Sequence, residues 1–199
     1  MTNAPIIIVI GTVGSGKGTQ VALISKEYDI PSVSAGDLFR NEAAKPTELG
    51  KRVDKILRSG GLMTIDLWKE VVGAYIDHTN FSKGYILDGV LRSLEQVAAF
   101  NALIKEKQLP EPWALEIRLD EDIAMERLMK RGRQDTDSVE ATKARLEWSR
   151  TQTQPVIDQF RELGRLVSVD GDQTIEKVHA DIIEELIKAK VLSETDETH

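Results

Sequence analysis

Near the start of the chain, Gly11-Thr12-Val13-Gly14-Ser15-Gly16-Lys17-Gly18-Thr19 has the residue types and spacing to hold phosphate. Backbone N–H groups converge on phosphate oxygens only where no side chain intervenes, which glycines permit. Lys17 adds a point charge for terminal phosphates, and a helix beginning there adds the partial positive charge of its N-terminus. Gly18 stands where the general motif carries Ser or Thr, so the hydroxyl that commonly ligates magnesium is missing from that position. The plainer alternative is a tight glycine turn beside a surface lysine. Glycines at 14 and 18, a strand pattern before and a helix pattern after weigh against it.

Cations come next. Arg127, Arg131, Arg133, Arg145 and Arg150 crowd into one stretch of a chain whose net charge is −7. Glu126, Asp135, Asp137, Glu140 and Glu147 are available to pair with them on a solvated helix face. Guanidinium forks also fit phosphate oxygens, and phosphoryl transfer needs its negative charge held by fixed cations. With the glycine loop upstream, the second reading is preferred. Arg40 and Arg92 sit near predicted helix ends and share the ambiguity. Asp88 closes an apolar run, where a carboxylate is costly unless it is paired or beside a cation. His78, His179 and His199 match no nucleophile or metal spacing, and Trp68, Trp113 and Trp148 read as core or lid packing.

These side chains need a frame, and the apolar pattern supplies one. Ile6 to Ile10 is a short β-branched run closed by Gly11, as in a buried parallel strand, and runs at 84–88, 113–119 and 165–169 resemble it. Helical spacing fills 17–28, 67–76, 94–104, 123–129 and 175–187. Strand and helix alternation implies right-handed crossovers and an α/β fold with a covered parallel sheet. Residues 34–66 hold two helical patterns and no clear strand, so they read as a helical insertion. A short polar segment at 131–137 reads as a loop, Asp137 and Glu140 as a capping box, and Pro155 as a kink or restart of the helix that follows. Residues 193–199 read as a frayed tail.

The 199 residues suit one domain, and 41% hydrophobic with 30% charged residues describes a soluble globular chain. Cysteine is absent, which removes disulfides, Cys-ligated zinc, iron–sulfur clusters and thiol catalysis. The acidic balance argues against nucleic acid as a partner. The N-terminal apolar run is too short for a signal peptide or a membrane span, so the expected compartment is the cytoplasm.

The motifs together resemble the adenylate kinase family of nucleoside monophosphate kinases. Gly16-Lys17-Gly18-Thr19-Gln20 resembles its phosphate loop, and Ser34-Ala35-Gly36-Asp37-Leu38-Phe39-Arg40 its monophosphate-site motif. Gly84-Tyr85-Ile86-Leu87-Asp88-Gly89-Val90-Leu91-Arg92 is similar to its central strand and loop. Arg131-Gly132-Arg133-Gln134-Asp135 with Arg145 resembles a short lid, and Thr153-Gln154-Pro155-Val156-Ile157 the helix after it. Order and spacing agree from about residue 5 to residue 187.

The resemblance implies a five-stranded parallel sheet of the P-loop NTPase type with three functional parts. These are a core at 1–33, 67–130 and 138–192, a monophosphate-binding insertion at 34–66, and a lid at 131–137. It implies transfer of the terminal phosphoryl of MgATP to AMP, giving two ADP, by a cytoplasmic monomer without zinc. ATP would meet Gly14, Ser15, Gly16, Lys17, Gly18, Thr19, Arg127 and Gln173. AMP would meet Ala35, Arg40, Met63, Gly89, Arg92, Gln96, Arg133 and Arg145. Lys17, Arg92, Arg131, Arg133 and Arg145 would be the catalytic cations, and Asp88 with Asp37 would hold the water shell of magnesium.

Three departures matter. The commonest form of the family has Phe-Pro where this chain has Val90-Leu91, in a loop whose proline bond is usually cis in relatives. A cis bond without proline costs about 3–4 kcal/mol, so the loop is either remodelled in trans or strained. Val13 replaces a frequent proline, and Asp135-Thr136-Asp137 splits an adjacent acidic pair. For substrate choice Ala35 leans toward UMP or CMP and Gln96 toward AMP. The alternatives are therefore a UMP/CMP kinase and a nucleotide-binding relative with little catalysis.

Overall fold

The computed structural model describes residues 4–59, 63–131, 147 and 149–194. The chain begins with β1 (Ile6–Gly11), α1 (Lys17–Tyr28) and β2 (Ser32–Ser34), followed by α2 (Ala35–Ala43), α3 (Glu48–Ser59) and α4 (Ile65–His78). Then come β3 (Tyr85–Asp88), α5 (Leu94–Glu106), β4 (Trp113–Arg118) and α6 (Glu121–Arg131). A π-helical turn (Ser149–Thr153) leads into α7 (Gln154–Glu162), and β5 (Leu166–Asp170) and α8 (Ile175–Lys188) complete the order.

The five strands form one parallel sheet in the order β2-β3-β1-β4-β5. The α/β expectation holds. Strand β1 occupies the centre, and its alternation of side chains feeds two cores. Ile6, Ile8 and Ile10 join a layer built with Trp68 and Val72 of α4, Phe100 of α5 and Phe160 of α7. Ile7 and Val9 face the opposite layer, with Ile24 of α1 and Ile182 and Leu186 of α8. A strand covered on both faces is apolar at every position, which is why 6–10 reads as a continuous run.

Four of the five strands match apolar runs in the sequence. The fifth, β2, does not: Ser32-Val33-Ser34 is three residues long, lies at the sheet edge, and pairs only with β3. Its hydrogen-bonding partner makes it a strand, and its composition does not. Immediately after it, Ser34 caps α2, its hydroxyl accepting from the Asp37 N–H. Helices α2 and α3 occupy most of the segment read as a helical insertion. The restart expected at Pro155 is present, with the proline in the first turn of α7 and the π turn ahead of it. Helix α6 runs through Arg131, where a loop was expected to begin. The remaining lid residues, the capping box at 137–140 and residues 195–199 lie outside the described residues.

Candidate functional site

The glycine loop spans the gap between β1 and α1. Gly16 is the N-cap of α1 with φ of 88°, a backbone conformation that a side chain at this position would oppose. The first turn of α1 therefore opens onto the loop with its N–H groups free of any side-chain cap. The Lys17 ammonium lies over the same loop, donating to the carbonyls of Gly11 at 2.9 Å and Thr12 at 2.8 Å. Ser15 is buried, and its hydroxyl has no partner among the described residues. A cleft of about 220 Å³ opens on the β4 side of the loop, with Gly11, Thr12, Arg118 and Gln154 among its walls.

Beside the loop, β3 ends at Asp88. Burial pushes this carboxyl up from its ordinary value of 3.8, Lys17 and Arg92 oppose the rise, and Asp37 adds to it. Lys17, Asp37 and Arg92 are thus each brought within electrostatic reach of Asp88. Asp37 sits in the opposite environment. The Ser34 hydroxyl, at 2.6 Å, and then the Arg40 guanidinium, at 2.7 Å, hold its carboxyl below the usual range.

Arg92 is held from its own loop and from the helix that follows it. Its Nε donates to the Gly89 carbonyl at 2.9 Å, and its backbone N–H donates to Gln96 Oε1 at 2.8 Å. Gly89 has φ of 64°, which favours glycine, and a Cβ there would come within 2.9 Å of the Arg92 guanidinium, which would have to shift. No peptide bond among the described residues is cis, so the Val90-Leu91 loop is built in trans. Both side chains are buried in the core, and the Trp68 indole N–H donates to the Val90 carbonyl at 3.1 Å. Gln96, expected to read the adenine of AMP, uses its carboxamide oxygen at the start of α5. Ala35 is buried at the start of α2, and Met63 packs against the core on the α4 side.

Across the loop, Arg127 of α6 reaches the turn between β5 and α8. It donates to the Gly171 carbonyl at 3.0 Å and pairs with Asp172 at 3.1 Å. In the same turn the Gln173 amide donates to the Asp170 carbonyl at 3.0 Å and to Asp181 at 2.9 Å. The two residues beyond the glycine loop expected to meet ATP are therefore brought to one turn, although 46 positions separate them in the chain. Arg133 and Arg145 lie outside the described residues, and of Arg131 only the backbone is described. Two contributors escaped the sequence reading. Asp172 carries no motif, and Trp68 shows its polar role only once its partner is known. A general signal for the second exists, since a buried indole N–H nearly always finds an acceptor.

The candidates segregate about β1. Among the described residues, those expected for AMP follow β2 and β3, Arg127 and Gln173, expected for ATP, follow β4 and β5, and Lys17 follows β1 itself; Arg133 and Arg145, also expected for AMP, come after β4 in the chain and lie outside the described residues. Sites at the C-terminal ends of parallel strands, where connections depart to either side, are the rule in open α/β sheets.

Comparison with known proteins agrees with this arrangement. The family model described as adenylate kinase matches residues 9–165. An adenylate kinase of Corynebacterium urealyticum is 33% identical over 172 residues, covering 86% of this chain and 93% of that one. One from Methylobacterium nodulans is 36% identical over 182 residues, covering 86% and 91%. One from Parabacteroides distasonis is 33% identical over 187 residues, covering 92% and 98%. With a family match across most of its length and relatives of this similarity along nearly all of it, the chain belongs to the adenylate kinase family.

Proposed function

We propose that the transfer of phosphoryl between ATP and AMP, which is this enzyme's activity by family, runs on the loop at 11–19, Lys17, Asp88 and Arg92. Arg40 and Arg92 hold the phosphate of AMP in this reading, and Arg131, Arg133 and Arg145 clamp the phosphates. Arg127 lies against the adenine of ATP, Gln173 also meets ATP, and Ala35, Met63, Gly89 and Gln96 line the AMP site. The observation that carries it is the gathering of Lys17, Asp88 and Arg92 at the adjacent ends of β1 and β3. The pyrimidine kinase and the weakly catalytic binder are not favoured by the relatives.

The chemistry asks little of acid–base groups. An oxygen of the AMP phosphate is already anionic at neutral pH, so attack on the terminal phosphorus of ATP needs no general base. The bond from that phosphorus to the bridging oxygen breaks, and its electrons leave on ADP. The remaining tasks are alignment, worth up to about 7–11 kcal/mol, and fixed charge around the equatorial oxygens. Lys17 supplies charge from the loop after β1 and Arg92 from the loop after β3, and the glycine-loop N–H groups add to it. Exclusion of water by the insertion and lid directs the phosphoryl to AMP and away from hydrolysis.

Magnesium enters with ATP. A buried carboxylate at the end of β3, flanked by Asp37 and short of full compensation from its cationic neighbours, has the chemistry to accept from the waters of a hard cation. Asp88 and Asp37 would hold it there. When bound, it neutralises phosphate charge. Zinc has no role in this reading. The enzyme acts on free nucleotides as a cytoplasmic monomer with no nucleic-acid partner. Among the described residues, no helix is long and apolar enough to cross a membrane.

The test is transfer from MgATP to AMP, UMP, CMP and GMP in parallel, with Arg92→Ala as control. A preference for AMP that the control loses supports the reading. Preference for a pyrimidine would mean that Ala35 outweighs Gln96, and ATP binding without transfer would mean that Val90-Leu91 disables the monophosphate site.

A further inference from the structure

The loop that delivers Arg92 contains no proline, yet it is fixed at every residue. Gly89 is tied through its carbonyl to the Arg92 side chain, Val90 and Leu91 are 2% and 0% exposed, and Arg92 is tied through its N–H to Gln96. The Gly89 N–H donates to the Val9 carbonyl at 3.0 Å, and a further polar anchor comes from α4. Trp68 of α4 is 1% exposed, and its Nε1 donates to the Val90 carbonyl at 3.1 Å in a fully buried contact. Neither group has water as an alternative, so each holds the other in place.

The contact also lies next to the segment read as the monophosphate-binding insertion. Helix α4 follows the segment containing α2 and α3, and Trp68 shares its core with Leu38 of α2, Val53 of α3 and Met63. An indole is rigid, with two side-chain torsions, so its N–H transmits the position of α4 to the Val90 carbonyl with little slack. Two residues further on is the Arg92 backbone.

We infer that Trp68 is a positioning residue for the monophosphate site: its indole N–H sets the Val90 carbonyl and through it the placement of Arg92 relative to the α2–α4 segment. This rests on Arg92 being a ligand of the AMP phosphate. It concerns the AMP side alone, because Lys17 is held by carbonyls of the loop after β1 and Arg127 by the turn after β5.

Trp68→Phe removes the donor and keeps most of the ring. Val72→Ala removes volume from the same core one turn along α4 and leaves the indole contact in place. In steady-state transfer, Trp68→Phe is expected to raise KM for AMP at least fivefold with KM for ATP within twofold of the parent. Val72→Ala is expected to lower the melting temperature and leave both KM values within twofold. An unchanged KM for AMP in Trp68→Phe, an equal rise in both KM values, or the same AMP-specific rise in Val72→Ala overturns the inference. If Trp68→Phe does not fold, the ¹⁵N–¹H indole resonance of Trp68 in the parent is read instead, assigned by eliminating Trp113→Phe and Trp148→Phe. A shift on saturation with AMP and none with ATP alone supports the coupling, and a resonance indifferent to AMP overturns it. Arg92→Ala separates the two levels. If that variant keeps the parent KM for AMP, the Arg92 assignment has failed and the Trp68 inference falls with it.

Discussion

Lys17 and Asp88 face each other across the ends of β1 and β3 with opposite consequences for stability. The lysine makes two hydrogen bonds to backbone carbonyls of a partly exposed loop, and water can replace the ammonium there. Lys17→Ala should therefore leave the melting temperature within a few degrees while lowering kcat by about 10²–10³-fold, the usual loss for one preorganised charge donor. Steady-state kinetics beside a thermal melt decides it, and substantial remaining activity would sink the lysine's role. Asp88 has its folded pKa raised above 3.8 by burial. Its folded form binds more protons than the unfolded chain, so its contribution to stability is complete below that value and is lost as pH rises through the folded pKa. At pH 7 the ionised carboxylate is a cost, and Asp88→Asn should raise the melting temperature by about 2–4 °C if the relief is ~1 kcal/mol, while transfer falls sharply. At pH 3.5 that thermal gain should shrink. A lower melting temperature at pH 7 would show the carboxylate to be structural. The glycine loop, Asp88 and Arg92 are legible in sequence because phosphate chemistry fixes residue types over short spans. Trp68 is not, since its acceptor lies 22 positions away and spacing carries no trace of it.

Helix ends decide where several of these side chains stand. Ser93 caps α5, its hydroxyl accepting from the Gln96 N–H at 3.3 Å, and Gln96 in turn accepts from the Arg92 N–H. Ser93→Ala should cost about 1 kcal/mol, or ~2–4 °C in melting temperature. It should raise KM for AMP more than KM for ATP, because the first turn of α5 loosens under Gln96; equal effects on both substrates would separate the cap from the site. The turn before α7 follows similar local logic. Pro155 has no N–H to offer the Thr151 carbonyl, and the Thr151 hydroxyl donates back to the Glu147 carbonyl at 2.9 Å, so the regular ladder is interrupted where the π turn lies. That break was visible in sequence as a proline. Strand β2 was not visible, because it is a strand only by virtue of its pairing with Ile86, Leu87 and Asp88. Elements made by their own side chains can be read locally, and elements made by a neighbour's backbone cannot.

At the scale of the molecule, the central strand divides the work. The two core layers hold β1 on both faces, so the loop at its end is the fixed point between the residues proposed for AMP after β2 and β3 and those proposed for ATP after β4 and β5. Alternation of apolar runs and helical spacing made this frame legible, since strict burial on both faces leaves a continuous apolar signature. The lid at 131–137 was expected only through resemblance, because charged segments read equally well as solvated faces. A division about one strand predicts how ligands should add. A single compound joining adenosine to adenosine through five phosphates carries both nucleotides, so it engages both sides without a second loss of translational freedom. At a thousand times its Kd it should stabilise by about 4 kcal/mol, or ~8–16 °C in melting temperature. At equal concentration, ATP and AMP added together should give a smaller shift. Arg92→Ala should reduce the compound's shift toward that of ATP alone, and Lys17→Ala should reduce it further, since that residue faces phosphates shared by both halves. If Arg92→Ala left the full shift intact, the compound would be held from the ATP side only, and the division of labour about β1 would be wrong.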